Sequence, residues 1–187
     1  MRLITTVFAS LLSILFFCTC KTQPDVETVY KSLKAGEARI IVSIDGDDFY
    51  PDDSRFSGEV TVSPNTVHMN LFDQYESNVI FSLGDEALFA KRPISRPIVV
   101  DQPSAGSVMI GRVNDRAKRT GDGFIMTQGD ATVESLSDEK VVVRLSGKTG
   151  NFNTMRDPKT WKSLEALLVY KRPKLMMRGD TTRSLLY

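Results

Sequence analysis

The sequence predicts an all-β domain of about eight antiparallel strands that form a barrel or a sandwich. Short runs in which apolar and polar residues alternate recur along the chain, starting at Ala38. Turn-forming residues separate these runs, as in Ser63-Pro64-Asn65, and this combination is typical of strands. Parallel strands would need helical crossovers between the runs, and the pattern lacks them, so we expect antiparallel pairing.

Two helical segments are predicted outside these runs. The first covers residues 26–33, where Asp25 can cap the helix and Gly36 suits the position beyond its end. Its apolar stripe, which we expect to pack against a sheet, consists of Val26, Val29, Tyr30 and Leu33. The second is expected near 158–168, because Asp157-Pro158 is a favourable helix start.

The alternation predicts two sets of four strands. They cover 38–44, 57–63, 66–72 and 78–83 in the first half, and 107–113, 123–128, 131–136 and 140–146 in the second. A similar stretch follows each set, at 86–93 and at 165–173. We therefore predict an internal repeat of about 37–93 and about 107–173, and two equal sets suit a closed barrel or a two-sheet sandwich, both of which limit exposed edges.

The first residues have the layout of a secretory signal. Met1-Arg2 provides a positive start, and residues 3–17 carry no charge. This run is shorter than the roughly 20 apolar residues of a membrane-spanning helix. It ends at Cys18 and Cys20, the two cysteines of the chain, and the polar stretch 21–25 follows.

This arrangement resembles the lipobox of bacterial lipoproteins, in which an apolar residue lies three positions before a cysteine. The resemblance implies cleavage before that cysteine and attachment of a diacylglyceryl group to its thiol. We favour Cys20, because the small Thr19 suits the residue before the cut, and Cys18 is the alternative. Acyl chains would then hold the protein at a membrane, since each buried methylene contributes ~0.8 kcal/mol.

The predicted organisation is a signal peptide over 1–19, a tether over 20–25 and one β-rich domain over 26–187. We expect the cell envelope as its location, with the lipid anchor in the outer membrane or in a leaflet facing the periplasm. Residues 1–19 carry one of the 24 basic residues and no acid, so 23 basic and 23 acidic residues remain. This balance gives no electrostatic basis for binding nucleic acid, which calls for a basic face.

Two loops are the candidate binding surface. The loop 45–55 combines carboxylates with aromatic rings, and its candidate residues are Asp45, Asp47, Asp48, Phe49, Tyr50, Asp52 and Asp53. The region 112–122 is basic instead, and its candidates are Arg112, Arg116, Lys118 and Arg119. We expect the two loops at one end of the domain, with opposite charge, as a contact surface for an envelope protein or a glycan on which the rings could stack.

The chemistry of the remaining residues predicts no catalytic residue, no metal site and no cofactor. The carboxylates of 45–55 lack the spacing of an EF-hand calcium loop. The sequence thus predicts a non-enzymatic binding or interaction module, and two alternatives stay open. One is a carrier of an apolar ligand in a barrel cavity, and the other is a hydrolase that uses His68, the single histidine.

Overall fold

The computed structural model describes residues 24–101 and 106–187, and 57% of these residues lie in strands and 8% in helices. The predicted signal peptide, Cys18, Cys20 and tether residues 20–23 lie outside the described residues. The strands are β1 (Ala38–Ile44), β2 (Asp47–Asp48), β3 (Phe56–Ser63), β4 (Thr66–Asp73), β5 (Asn78–Gly84), β6 (Ile94–Val99), β7 (Gly106–Asp115), β8 (Thr120–Leu136), β9 (Lys140–Asn151), β10 (Lys162–Lys171) and β11 (Lys174–Met177).

Eight of these strands form a closed antiparallel barrel, which confirms the predicted fold class. Around the barrel the order is β1, β3, β4, β5, β7, β8, β9 and β10, and β10 pairs with β1 again. Strand β6 pairs with the part of β8 that β7 does not reach. Since β6 and β7 lie along the same edge of β8, they act together as one interrupted strand.

The barrel closes at a seam between β1 and β3, where the strands share a single register pair, Ala38 with Phe56. Towards one end, the chain after β1 folds back along that strand. The amide of Phe49 donates to the carbonyl of Val42 at 2.8 Å, and the guanidinium of Arg39 donates to the carbonyl of Ser54 at 3.1 Å. These bonds cover the edge of β1 that β3 leaves unpaired.

Strand β11 completes the other end of the seam. It lies parallel to β3, with Lys174 beside Glu59 and Met177 beside Val62, in the position that β1 would occupy if it extended further. The hydroxyl of Tyr170 on β10 donates to the carbonyl of Gly58 on β3 at 2.8 Å. One buried side chain therefore links two strands that do not pair with each other.

The interior of the barrel is filled by alternate side chains of every barrel strand. Leu88 reaches the core from the connection between β5 and β6, and the other large, fully buried side chains lie on strands: Tyr170, Phe56, Phe81, Met69, Leu71, Leu83, Ile94, Ile98, Met126, Leu136 and Leu164. Alternation with period two places these residues inside and their neighbours in sequence outside. The predicted alternating runs are thus the wall of one apolar core.

Helix α1 (Val26–Ser32) forms as predicted and packs on the outside of the barrel. The side chain of Asp25 accepts a bond from the amide of Thr28 at 2.9 Å, which caps the helix. Val29 and Leu33 are buried in a second, smaller cluster, and their partners are Val142, Leu167 and Val169. Within residues 24–101 and 106–187, no helix has the length and apolar character needed to cross a bilayer.

The prediction of a helix near 158–168 is wrong for most of that segment. Only Pro158–Thr160 is helical, as one short 3-10 turn, and Lys162–Lys171 is strand β10. The reason is that β10 is buried on both faces. Its even-numbered residues from Leu164 to Tyr170 face the barrel core, while Leu167 and Val169 face α1. A strand covered on both sides shows no alternation in its sequence.

The separate strands expected at 123–128 and 131–136 are one strand, β8. Gly129, between them, suggests a turn, but it lies opposite Gly147 of β9. A Cβ atom on Gly129 would lie 2.6 Å from the Cα of Gly147. This glycine therefore permits a close approach of β8 and β9, next to the register shift between Met126 and Gln128.

The internal repeat stays a prediction. The four barrel strands of each half agree with it in number, but the two similar stretches differ in structure. Residues 86–93 form turns and bends, whereas residues 165–171 belong to β10.

Replacing Tyr170 by Phe tests the seam. The change removes the bond to Gly58 and keeps the ring in the core, so we expect the free energy of unfolding to fall by about 1 kcal/mol. Urea denaturation measures this value. Tyr30→Phe, which removes a hydroxyl away from the seam, is the control, and an equal loss in both variants would argue against a role of Tyr170 in closure.

Candidate binding rim of the barrel

Four connections meet at one end of the barrel and are called the rim: residues 45–55, 74–77, 116–119 and 152–161. The strand register places the start of β10 and the ends of β1, β4 and β7 at this end. The rim therefore contains the predicted loop 45–55 and two connections that the sequence does not single out. Of the predicted loop 112–122 it contains only residues 116–119, because 112–115 belong to β7 and 120–122 belong to β8.

Arg112 joins the two predicted loops. Its side chain points into the mouth of the barrel, where Nη1 donates to the carbonyl of Phe49 at 2.9 Å. The guanidinium also lies over the ring of Phe49, at 4.8 Å from the ring centroid, in a cation–π contact. The basic loop is thus held directly against the acidic loop.

A second group of bonds fixes the orientation of Arg112. Its Nη2 donates to Asp122 at 2.9 Å and its Nε donates to the side-chain oxygen of Asn114 at 3.2 Å. The amide of Asn114 in turn donates to Asp122 at 3.0 Å. The bond from Asn114 and then the bond from Arg112 hold the pKa of Asp122 below its ordinary value, because both stabilise the carboxylate.

The rings of Phe49 and Tyr50 are buried in the protein and are not available to stack on a glycan or a partner, contrary to the expectation from the sequence. Each exposes 6% of its surface. The Phe49 ring meets Phe124 edge-on at 5.7 Å, and the Tyr50 ring meets Phe56 at 5.0 Å. Tyr50 donates its hydroxyl to the carbonyl of Asn78 at 2.8 Å, and burial raises the pKa of that hydroxyl. The two rings close this end of the barrel core.

Two clefts of opposite character lie on either side of Arg112. The basic cleft measures ≈ 290 Å³, has Pro51 and Val113 as its apolar lining, and carries the polar residues Tyr75, Ser77, Arg112, Asn114 and Arg116. The acidic cleft measures ≈ 320 Å³ and is lined by Asp47, Asp48 and Asp122, with Lys162 and Arg112 at its sides and Ile44, Phe49 and Phe124 beneath. This end of the barrel therefore has one cleft lined by basic side chains and one lined mainly by acidic side chains.

Three further predicted residues of the loop 45–55 have bonding partners in the fold. The side chain of Asp45 accepts a bond from the amide of Ser163 at 2.8 Å. Asp52 pairs with Arg39 at 3.0 Å, and the carboxylate of Asp53 accepts a bond from the hydroxyl of Tyr75.

The two remaining basic candidates lie in the turn after β7. Lys118 pairs with Asp115 at 3.5 Å, and Arg119 lines an open depression beside Arg116. Lys118 and Arg119 lie outside the two clefts that border Arg112.

The turn 74–77 lines the basic cleft, and the sequence patterns above do not predict it as a binding segment. Tyr75 exposes 36% of its surface and stands between two strands. Ser77 is 1% exposed, and its hydroxyl lies 3.4 Å from the amide of Val113. An exposed aromatic residue in a turn, here within Gln74-Tyr75-Glu76, is the one signal that could have identified this segment.

The centre of the barrel has little empty space. A cavity of ≈ 10 Å³ lies there among the described apolar side chains, which include Phe81, Ile110, Val143 and Leu145. A volume of about this size holds one water molecule. A β-barrel fold is compatible with carrying a ligand inside or with binding at its surface. The cavity volume favours the second role.

His68 lies on the outer wall of β4, where its strand neighbours are Thr61 and Ser82. Val67 and Met69 point to the core on the opposite face. In the described part of the chain no hydrogen bond joins His68 to a carboxylate, and no three His, Cys, Asp or Glu side chains there form a group that could hold a metal ion.

The chain matches no family model, no curated protein and no solved structure.

Asp122 should make stability depend on pH. Its pKa is lowered from an ordinary value of 3.8, so its contribution is present above that value and is lost as the pH falls through the folded-state pKa. We expect the wild-type protein to lose more unfolding free energy than Asp122→Asn between about pH 5 and about pH 2, as urea titrations would measure. Asp130→Asn, on an exposed position of β8, is the control, and identical pH profiles of wild type and Asp122→Asn would contradict the role of Asp122.

Proposed function

We propose that the protein is an exported bacterial lipoprotein that acts as a non-enzymatic binding module, whose rim contacts an envelope protein or a glycan. One observation carries this proposal. The interior cavity is ≈ 10 Å³, whereas clefts of ≈ 290 and ≈ 320 Å³ lie on the two sides of Arg112 at the rim. The space that a partner could occupy therefore lies in the two clefts at the rim and not in the barrel core.

The chemistry of the rim supports binding. A partner surface that carries charges of both signs would meet complementary groups in the two clefts, and such complementarity gives specificity and speeds association. The bonds of Arg112 to Phe49, Asp122 and Asn114 hold the boundary between the clefts in one geometry. A preorganised surface loses less conformational entropy when it binds.

The position of helix α1 supports a tether at the opposite end of the barrel. Glu27 pairs with Lys140 at 2.6 Å, and Lys171 donates to the carbonyl of Leu33 at 2.8 Å. Lys140 and Lys171 lie at the end of the barrel away from the rim. A lipid anchor on Cys20, or on Cys18, would therefore leave the rim directed away from the membrane.

The position of the rim can be tested by photo-crosslinking in the native bacterial cell. A photoreactive phenylalanine analogue at position 75 should yield discrete crosslinked products, because Tyr75 lines the basic cleft. The same analogue at position 34, an exposed site beyond α1, is the control and should yield none of these products. Products from position 34 but not from position 75 would place the contact elsewhere and overturn the proposal for the rim.

The anchor can be tested by mass spectrometry of the amino terminus of the protein isolated from membranes. We expect a chain that begins at Cys20 and carries a diacylglyceryl group. Cys20→Ala should leave the precursor uncleaved, whereas Cys18→Ala should be processed normally. Retention of Met1 with no acyl mass on either sulfur would contradict the lipoprotein proposal.

A further inference from the structure

The basic cleft has the composition of a site for a charged, ring-shaped ligand. Arg112 and Arg116 are cationic, and none of the described residues that line this cleft is acidic. Pro51 and Val113 form an apolar lining, and the ring of Tyr75 forms one side. The volume of ≈ 290 Å³ is at the lower end of ligand pockets, which begin at about 300 Å³, so the cleft accommodates a single ring.

Arg112 is prepared to bind an anion. Three of its N–H groups donate to Phe49, Asp122 and Asn114, and a guanidinium has five. Two donors thus have no acceptor among residues 24–101 and 106–187, on a side chain that is already fixed in position. Because its orientation is set by the fold, little side-chain entropy would be lost when these donors bind an oxyanion.

Arg116 supplies the second positive charge on a more open side chain. One of its terminal nitrogens donates to the carbonyl of Gln74 at 2.6 Å, and its Nε lies 3.9 Å from the carboxylate of Glu76. About half of the side chain, 53%, is exposed. Arg116 can therefore turn towards a ligand without leaving a buried charge unpaired.

Ser77 adds a polar group inside the cleft. It is 1% exposed, and its hydroxyl oxygen is 3.4 Å from the amide of Val113, which leaves the O–H to donate to another acceptor. An apolar lining, one aromatic ring and a few converging polar groups are features of small-molecule sites.

We propose that the basic cleft binds a negatively charged sugar residue, as part of an envelope glycan. The sugar ring would lie against Tyr75, Pro51 and Val113, and its anionic group would accept charge-assisted bonds from Arg112 and Arg116. This inference rests on the proposed function and names the ligand class of the same rim. The anion is a carboxylate or a phosphate, since guanidinium groups bind both.

The test uses the purified full-length protein in detergent, titrated with glucuronate, glucose 1-phosphate, glucose and acetate. Chemical shifts of the Ser77, Val113 and Asn114 amides report binding. We expect glucuronate or glucose 1-phosphate to bind at least about tenfold more tightly than glucose and than acetate. The tighter of the two charged sugars identifies the anion.

Two variants locate the site. Arg116→Gln should weaken binding of the charged sugar about tenfold. Lys159→Gln removes the same charge from the 152–161 connection at the same end of the barrel, outside the cleft, and should change the affinity less than about twofold. Thermal melting of each variant checks that the barrel is intact.

Three results would overturn the proposal. If glucose binds as tightly as the charged sugars, the negative charge does not contribute to binding. If acetate binds as tightly, the sugar ring does not contribute. If Arg116→Gln binds the charged sugar as tightly as the wild type does, the ligand does not bind in the basic cleft. If any of these results occurs while crosslinking from position 75 persists, the ligand class fails and the rim remains the contact surface. If crosslinking also fails, the proposed function fails with it.

Discussion

The structure depends on the closure of the barrel between β1 and β3. These strands share one register pair, Ala38 with Phe56, so their ladder alone cannot close the cylinder. The chain after β1 bonds back to it on one side, and β11 fills the gap beside β3 on the other. Tyr170 of β10 links β3 across the seam through a hydroxyl bond to the carbonyl of Gly58. An unclosed edge would expose unpaired backbone groups, which promote association with other chains.

Closure at this seam also creates the rim. The same stretch that covers the edge of β1 carries Phe49 and Tyr50 into the mouth of the barrel, where Phe49 meets Arg112. The core is filled as a result, and the space for a partner lies above it in the two clefts. Fold and candidate function are therefore linked, because one loop both completes the barrel and forms the boundary between its charged surfaces.

Strand alternation made most of the fold predictable, and the exceptions have physical causes. Strand β10 is buried on both faces and so lacks the alternation by which strands are recognised, while Gly129 marks a close strand approach where a turn was expected. In the site, charge identified the two loops, but the burial of Phe49 and Tyr50 depends on the ring of Phe124 and the carbonyl of Asn78, which are distant in sequence. Tyr75 lies in a four-residue turn, and no local sequence pattern specifies which residues lie near that turn in space.

Native-state hydrogen exchange of the amides at the seam tests this account most directly. If the seam closes the barrel, the amide of Phe49 and the β11 amides bonded to β3 should exchange only through global unfolding, with the same opening free energy as the core amides of Met69 and Phe81. If the seam amides exchange with a much lower opening free energy while Met69 and Phe81 stay protected, the barrel opens between β1 and β3, and the rim is not a preformed surface.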